Sequence, residues 1–133
     1  MKGFSSMTVR DLADEWIDYS SADLASARFL LAMKPMPAEI ICFHCQQSAE
    51  KSLKALLALW DRSIPRTHAL VQLLGLIVPD APSTKALESD AESLTEYGSD
   101  IRYPSKKPLS ESDAREAIAA AERVLAAVRS ILV

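Results

Sequence analysis

The sequence predicts an all-helical protein, an up-and-down antiparallel bundle of four long helices and one short helix. Three observations lead to this fold class. Glycine is scarce, with three residues in a chain of 133, apolar residues recur every three or four positions, and β-branched and aromatic residues form no alternating runs. Because 49% of the residues are hydrophobic, the chain can bury a core of its own. We therefore expect residues 1–133 to form one helical domain.

The first predicted helix spans about residues 8–33. Thr8 is a candidate N-cap, and Asp11, three residues later, completes a capping box with it. The prolines of KPMP (34–37) end this helix because proline lacks a backbone donor and restrains the residue before it. Apolar residues recur at helical spacing along it, Val9, Leu12, Trp16, Tyr19 and Leu30, with Ala13, Ala27 and Leu31 beside them.

The second predicted helix spans about residues 38–61 and packs antiparallel to the first. One face carries small and apolar side chains: Cys42, Cys45, Ala49, Leu53, Leu56 and Trp60. The opposite face carries four polar side chains: His44, Gln47, Lys51 and Lys54. This polar face is the first candidate for a functional surface.

Two shorter segments follow, each opened by a hydroxyl side chain. Thr67 is a candidate N-cap for the short helix HALVQLLGLI. Ser83 or Thr84 can cap the next helix, which is predicted to run to about Ser99. Its apolar stripe is predicted from helical spacing to comprise Ala86, Leu87, Ala91 and Leu94.

An irregular basic segment separates this helix from the last one. GSDIRYPSKKPL (98–109) contains two prolines, so it cannot form a continuous helix. Ser110 then opens the final helix, and Asp113 completes its capping box. An unbroken apolar stripe runs from there almost to the last residue.

Composition excludes several classes of function. The formal net charge of −3 argues against a large basic face for duplex nucleic acid. No apolar run is long enough to span a membrane, and the N-terminal residues lack the apolar core of a signal peptide. With two cysteines and no export signal, we expect a cytoplasmic protein in a reducing compartment.

The residues that could hold a metal ion do not form a complete site. Cys42 and Cys45 point to one face of the predicted helix while His44 points away, and His68 is the other histidine. A structural zinc site needs four converging ligands, so we expect no metal and no cofactor. The two thiols are better explained as small core residues.

Two further features are candidates for chemistry. Asp23 lies beside the apolar stripe of the first helix, where we expect it to pair with a lysine or arginine. Arg102, Lys106 and Lys107 lie close to Tyr103 in the irregular segment. Arginine and lysine bind phosphate, and an aromatic ring can stack on a base. A solvated basic loop with Tyr103 packed on the bundle explains the same composition and stays open.

Three segments in order, CFHCQQSAEKSLKALLALW, PRTHALVQLL and LTEYGSDIRYP, resemble the HEPN family (higher eukaryotes and prokaryotes nucleotide-binding domain). The resemblance covers nearly the whole chain. It implies a small helical bundle that forms homodimers and a partner, a minimal nucleotidyltransferase, in a two-component system of toxin–antitoxin type. Other members are metal-independent endoribonucleases with an Arg-x(4-6)-His motif at the dimer interface.

The sequence departs from the ribonuclease pattern. Arg102 matches the arginine position, but no histidine follows it at the required spacing, where Lys107 stands. Arg62 and His68 have the required spacing in another loop, and we interpret that match as coincidental. Because metal-free RNA cleavage needs a group that moves a proton near neutral pH, binding is favoured over cleavage, with Arg102, His44 and His68 as the catalytic candidates.

The resemblance and the residues together predict a dimer that binds nucleotide or RNA and acts with a nucleotidyltransferase. Two alternatives remain: an endoribonuclease toxin, and a structural or regulatory dimer without a ligand. The residues expected to contact nucleotide or phosphate are Arg102, Tyr103, Lys106, Lys107, His44, Gln47 and Lys51.

Overall fold

The computed structural model describes residues 7–98 and 107–133, and every regular element in these ranges is helical. The α-helices are α1 (Val9–Leu30), α2 (Ala38–Leu59), α3 (Leu70–Ile77), α4 (Glu88–Thr95) and α5 (Glu111–Leu132). The all-helical bundle is confirmed. The predicted fourth long helix is divided into the 3-10 segment Pro82–Leu87, α4, and the 3-10 turn Glu96–Gly98. None of the helices described is long and apolar enough to cross a membrane.

Helix α2 lies at the centre of the bundle. It packs against all four other α-helices, and 15 of its 22 residues are buried. Beyond Cys42, the side chains of α2 that reach the surface are those of Phe43, His44, Gln47, Lys51 and Leu59. Beyond Cys42, the polar residues of this helix are therefore either buried inside the protein or confined to one narrow strip.

The two predicted capping boxes are confirmed. The Thr8 hydroxyl accepts a hydrogen bond from the Asp11 amide, and the Asp11 side chain accepts one from the Thr8 amide. Ser110 and Asp113 make the same reciprocal pair at the start of α5. Each box pairs amide donors that a helix start leaves without an intrahelical acceptor.

Two other predicted helix starts are wrong. Thr67 does not cap α3, which begins at Leu70; its hydroxyl oxygen accepts instead from the Ala69 amide in the preceding turn. Thr84 is buried inside the 3-10 segment, and its hydroxyl donates to the Ala81 carbonyl. Short hydroxyl side chains bond to nearby backbone in turns as readily as at helix caps. Thr67 and Thr84 both make the turn hydrogen bond and cap no helix.

The end of α2 is fixed by backbone hydrogen bonds around a residue in the left-handed conformation. Asp61 has a φ of 54°. Its amide donates to the Ala58 carbonyl, and the Arg62 amide donates to the Leu57 carbonyl. These two bonds form a Schellman motif, in which aspartate occupies the position that glycine usually takes. The chain can therefore leave α2 sharply without a glycine.

A buried serine cluster joins α1 to α2. The Ser20 hydroxyl lies 2.8 Å from the Ser48 carbonyl, 3.0 Å from the Ser48 hydroxyl and 2.7 Å from the Ser52 hydroxyl. All three serines are fully buried. Because each hydroxyl has a partner, the small side chains allow the two helices to pack closely without an unpaired polar group.

Candidate functional site

The polar strip of α2, which comprises His44, Gln47 and Lys51, is joined to α1 through Asp23. The Asp23 carboxylate accepts from Lys51 Nζ at 2.6 Å and lies 2.9 Å from His44 Nδ1. Its side chain is 14% exposed. The predicted pairing of Asp23 with a basic residue is therefore confirmed, and the sequence prediction had not connected it with the strip.

Lys51 and His44, the two basic residues of the strip, differ in how free they are to bind a ligand. Lys51 already has a close carboxylate partner and also lies 5.8 Å from the centre of the Tyr19 ring. An incoming phosphate would compete with Asp23 for this amine. The Nδ1 atom of His44 is hydrogen-bonded to Asp23, so Nε2 is the ring nitrogen that can bond to a ligand.

A second polar network lies on the other side of the strip and is centred on Glu50. This buried carboxylate accepts from Lys54 Nζ at 2.9 Å and Gln46 Nε2 at 3.1 Å, and lies 2.8 Å from His68 Nδ1. Glu50 is 4% exposed, whereas the His68 side chain is 67% exposed. The buried Glu50 carboxylate therefore orients the exposed imidazole of His68.

The structure corrects the predicted position of Lys54 on α2. It was expected on the exposed face with His44, but it is 9% exposed. Its amine lies 5.8 Å from the centre of the Trp16 ring and bends to Glu50. Because α1 covers this end of α2, the long aliphatic part of the lysine is buried with it.

The hydrogen bonds also set the protonation of Glu50. Burial alone would raise the pKa of this carboxyl, but the hydrogen bonds from Lys54, His68 and Gln46 outweigh it. The pKa of Glu50 consequently lies below its ordinary value. The network therefore contains a buried negative charge that is compensated by Lys54.

Two glutamines link the strip to the Glu50 network. Gln47 Nε2 donates to Gln46 Oε1 at 2.8 Å, and Gln46 Nε2 donates to the His68 carbonyl at 3.0 Å. Gln47, which shares the strip with His44, is thus bonded to the network that holds His68. Each of the two histidines has its Nδ1 atom against a carboxylate, Asp23 for His44 and Glu50 for His68.

The basic segment predicted from the sequence contacts α2 at both of its described ends. A Cβ atom at Gly98 would lie 3.2 Å from the Gln46 side chain, so the backbone there packs directly on that glutamine. At the other end, the Leu109 amide donates to Glu39 Oε1 at 3.3 Å. Gln46 and Glu39 are two turns apart on one side of α2, a distance of about 10 Å.

The predicted phosphate contacts divide into two groups. Arg102, Tyr103 and Lys106 lie outside the described residues. Lys107 is described and exposed. The described ends of the basic segment therefore contact Gln46 and Glu39 of α2, while the described part of the surface supplies His44 and His68.

Among the residues that the structure describes, Arg62 and His68 of the alternative pair share no partner. Arg62 bonds to Asp80 and to the Leu76 carbonyl, and its guanidinium lies 5.1 Å from the centre of the Trp60 ring. His68 turns to Glu50 instead. The two side chains are thus engaged by different elements.

The cysteines belong to the core, as predicted. Cys42 and Cys45 are fully buried, and burial is the main reason that the pKa of each thiol rises to about 12. In residues 7–98 and 107–133, no three side chains of His, Cys, Asp or Glu are placed to share a metal ion.

Comparison with known proteins identifies the family. The family model of the HEPN domain matches residues 13–131 of the sequence. The chain belongs to the HEPN family. Among solved structures, TT1696 from Thermus thermophilus is similar, with a TM-score of 0.78 and 26% identity over 89% of this chain and 96% of that one.

A second similar structure is ST0689, described as an archaeal HEPN homologue. It has a TM-score of 0.70 and 26% identity, covering 91% of this chain and 98% of that one. No curated protein matches the sequence. The two structures confirm that this HEPN domain has the fold of its relatives over nearly its full length.

The sequence prediction for this HEPN domain missed the residues around Glu50. Gln46, Glu50 and Lys54 recur every four residues, which places them on one line of α2. That spacing signals a polar network, but Lys54 was predicted to lie on the polar face with His44, and Glu50 was not singled out. The correction follows from burial, because α2 has almost no surface at these positions.

Proposed function

We propose that this HEPN domain binds nucleotide or RNA phosphate as a homodimer and acts with a minimal nucleotidyltransferase in a two-component system of toxin–antitoxin type. The observation that carries the proposal is the position of the basic segment. Its two described ends are attached to α2: Gly98 packs on Gln46, which accepts a hydrogen bond from Gln47 of the strip, and Leu109 donates to Glu39.

The charges favour a phosphate ligand at this surface. Arg102, Lys106 and Lys107 supply three positive charges within six residues, and arginine and lysine are the residues that bind phosphate. The strip adds His44, which is held by Asp23. Since the strip has little net charge once Lys51 pairs with Asp23, the segment would supply most of the attraction.

An exposed apolar stripe on α1 supports a homodimer. Val9, Leu12 and Tyr19 are 40%, 38% and 57% exposed. Trp16 lies beside Leu12 and Tyr19 at this surface. A second copy packed on this stripe would cover the apolar side chains.

Light scattering tests the dimer. We expect Leu12→Glu to convert a dimer into a monomer, because it places a charge in the stripe. Val71→Glu is a matched control, since Val71 is 42% exposed on α3. A wild-type protein that is monomeric at micromolar concentration contradicts this part of the proposal.

Isothermal titration tests ligand and partner. Wild-type protein is titrated with nucleotides, with a short RNA, and with the product of the adjacent gene. Arg102→Ala and Lys107→Ala should weaken nucleotide and RNA binding. If the wild type binds none of the three, the proposal fails; if it binds the adjacent gene product alone, the regulatory dimer without a ligand is the better account.

A specific observation favours endoribonuclease activity as the second candidate. The exposed His68 imidazole is oriented by the buried Glu50 carboxylate, which is how many proteins hold a histidine that transfers protons. Incubation of RNA with wild type, His68→Ala and Arg102→Ala tests it. Cleavage by wild type alone supports the candidate, and intact RNA with wild type refutes it.

A further inference from the structure

A shallow surface pocket borders the His44 end of the α2 strip. It is lined by Ala25, Ser26, Phe29 and Leu30 of α1 together with His44 of α2. Phe29 is 82% exposed, more than any other aromatic side chain in the described ranges. Apart from His44, the lining contains no titratable group. The pocket is therefore suited to an uncharged, planar group.

His44 gives this pocket a polar side with a fixed orientation. Its Nδ1 atom lies 2.9 Å from Asp23 Oδ1, and an ionised carboxylate only accepts hydrogen bonds. Nδ1 therefore carries the proton in that bond, and Nε2 is the nitrogen available to a ligand. His44 is itself partly exposed, at 29% of its side chain.

Phe29 provides the complementary apolar surface. An aromatic ring that projects into water exposes a flat face on which a base can stack, and such stacking tolerates different bases because each has a π-face. The neighbouring imidazole then offers one hydrogen-bonding atom for the edge of the base. A flat ring and one fixed hydrogen-bonding group are the usual components of a base subsite.

We propose that Phe29 and His44 form a nucleobase subsite, with the base stacked on Phe29 and its edge directed to His44 Nε2. This inference rests on the proposed function, because it names the part of the ligand that this end of the surface takes. The base would lie on the α1 side of His44.

Ligand-observed NMR with isothermal titration tests the subsite. The probes are AMP, adenosine and inorganic pyrophosphate, each with wild type, Phe29→Ala, Phe29→Trp and Met33→Ala. Met33→Ala is the matched control, since Met33 is exposed by 53% just beyond the end of α1 but does not line the pocket.

The expected pattern separates base from phosphate. Phe29→Ala should weaken AMP and adenosine by about fivefold to 100-fold, the usual effect of losing one stacked base, and leave pyrophosphate unchanged. Phe29→Trp should retain AMP binding. Met33→Ala should leave all three ligands unchanged.

Each other outcome overturns the inference in a recognisable way. If AMP binds to wild type and to Phe29→Ala equally, the subsite is wrong while the proposed function stands. If Phe29→Ala alters the molar mass in light scattering, Phe29 is an interface residue and the subsite is wrong. If wild type binds neither AMP nor pyrophosphate, nucleotide binding itself fails and the subsite fails with it.

Discussion

Removing the charge of Glu50 should destabilise the protein more than any surface charge change. In Glu50→Gln, Lys54 keeps its ammonium group in a site where its residue is 9% exposed and loses the carboxylate at 2.9 Å. Breaking a buried ion pair by removing one partner costs about 3–5 kcal/mol. That is a large part of the total stability of a typical domain, about 5–15 kcal/mol.

Urea and thermal denaturation measure this effect. A loss of about 3–5 kcal/mol corresponds to a fall in Tm of roughly 10–15 °C for a domain of this size. Glu111→Gln is the matched control, because Glu111 forms an i,i+4 pair with Arg115 in which both side chains are more than half exposed. Such exposed helix pairs contribute about 0.3–0.5 kcal/mol.

A double variant separates the charge from the packing. Glu50→Leu with Lys54→Met removes both charges and keeps similar volumes, and replacing a buried pair in this way is often neutral or stabilising. We expect it to recover most of the loss. His68 would also lose its partner, but its side chain is 67% exposed and can bond to water.

The pH dependence follows from the sign of the pKa shift. Because the folded pKa of Glu50 lies below the ordinary value of 4.5, its contribution is fully present above about pH 4.5 and is lost as pH falls through the folded pKa. The difference in free energy of unfolding between wild type and Glu50→Gln should therefore become smaller in acid. A difference below about 1 kcal/mol at neutral pH, well short of the cost of an uncompensated buried charge, would refute the reasoning.

Three further predictions concern single positions. Gly98→Ala places a methyl group 3.2 Å from the Gln46 side chain, and displacing that glutamine should cost about 1 kcal/mol in urea denaturation, as for other strained insertions. Cys42 and Cys45, whose pKa values are about 12, should react with a thiol reagent at neutral pH only after denaturation, and rapid labelling of the native protein would contradict their burial. Ser110→Ala removes a helix cap and should cost about 1 kcal/mol, whereas an unchanged urea midpoint would show that the capping box is dispensable.

Elements with regular signals were predictable from the sequence. The capping residues Thr8 and Ser110 mark helix starts because their side chains act locally, within three residues. The long apolar stripes of α1, α2 and α5 follow from helical spacing alone. The family motifs extended this to the fold of the whole chain, which the HEPN match confirms.

Burial around α2 was not predictable from periodicity. Helical spacing places Lys54 near His44, Gln47 and Lys51, but it does not reveal that Trp16 of another helix lies against Lys54. The division of the predicted fourth helix was also missed: Thr84 is buried inside the 3-10 segment, where its hydroxyl donates to the Ala81 carbonyl. The burial of Lys54 and of Thr84 depends on tertiary contacts, which a single sequence does not contain.

The candidate site was predictable in part for the same reason. His44 and Lys51 were singled out from the polar face of α2, and Asp23 was singled out separately. Their contact at 2.9 and 2.6 Å joins residues 21 and 28 positions apart in the chain. Such a contact depends on how α1 and α2 pack. The sequence could therefore indicate the individual residues but could not show that they contact one another.

The salt dependence of RNA binding tests the central claim most directly. Fluorescence anisotropy with a labelled single-stranded RNA is measured over a range of KCl concentrations for wild type and Lys107→Ala. The account predicts that affinity falls linearly on logarithmic axes as salt rises, with a slope reduced by about 0.7 in Lys107→Ala, the value for one phosphate contact on a single strand. Absence of binding at low salt, or an identical slope in the variant, would contradict phosphate recognition by this segment.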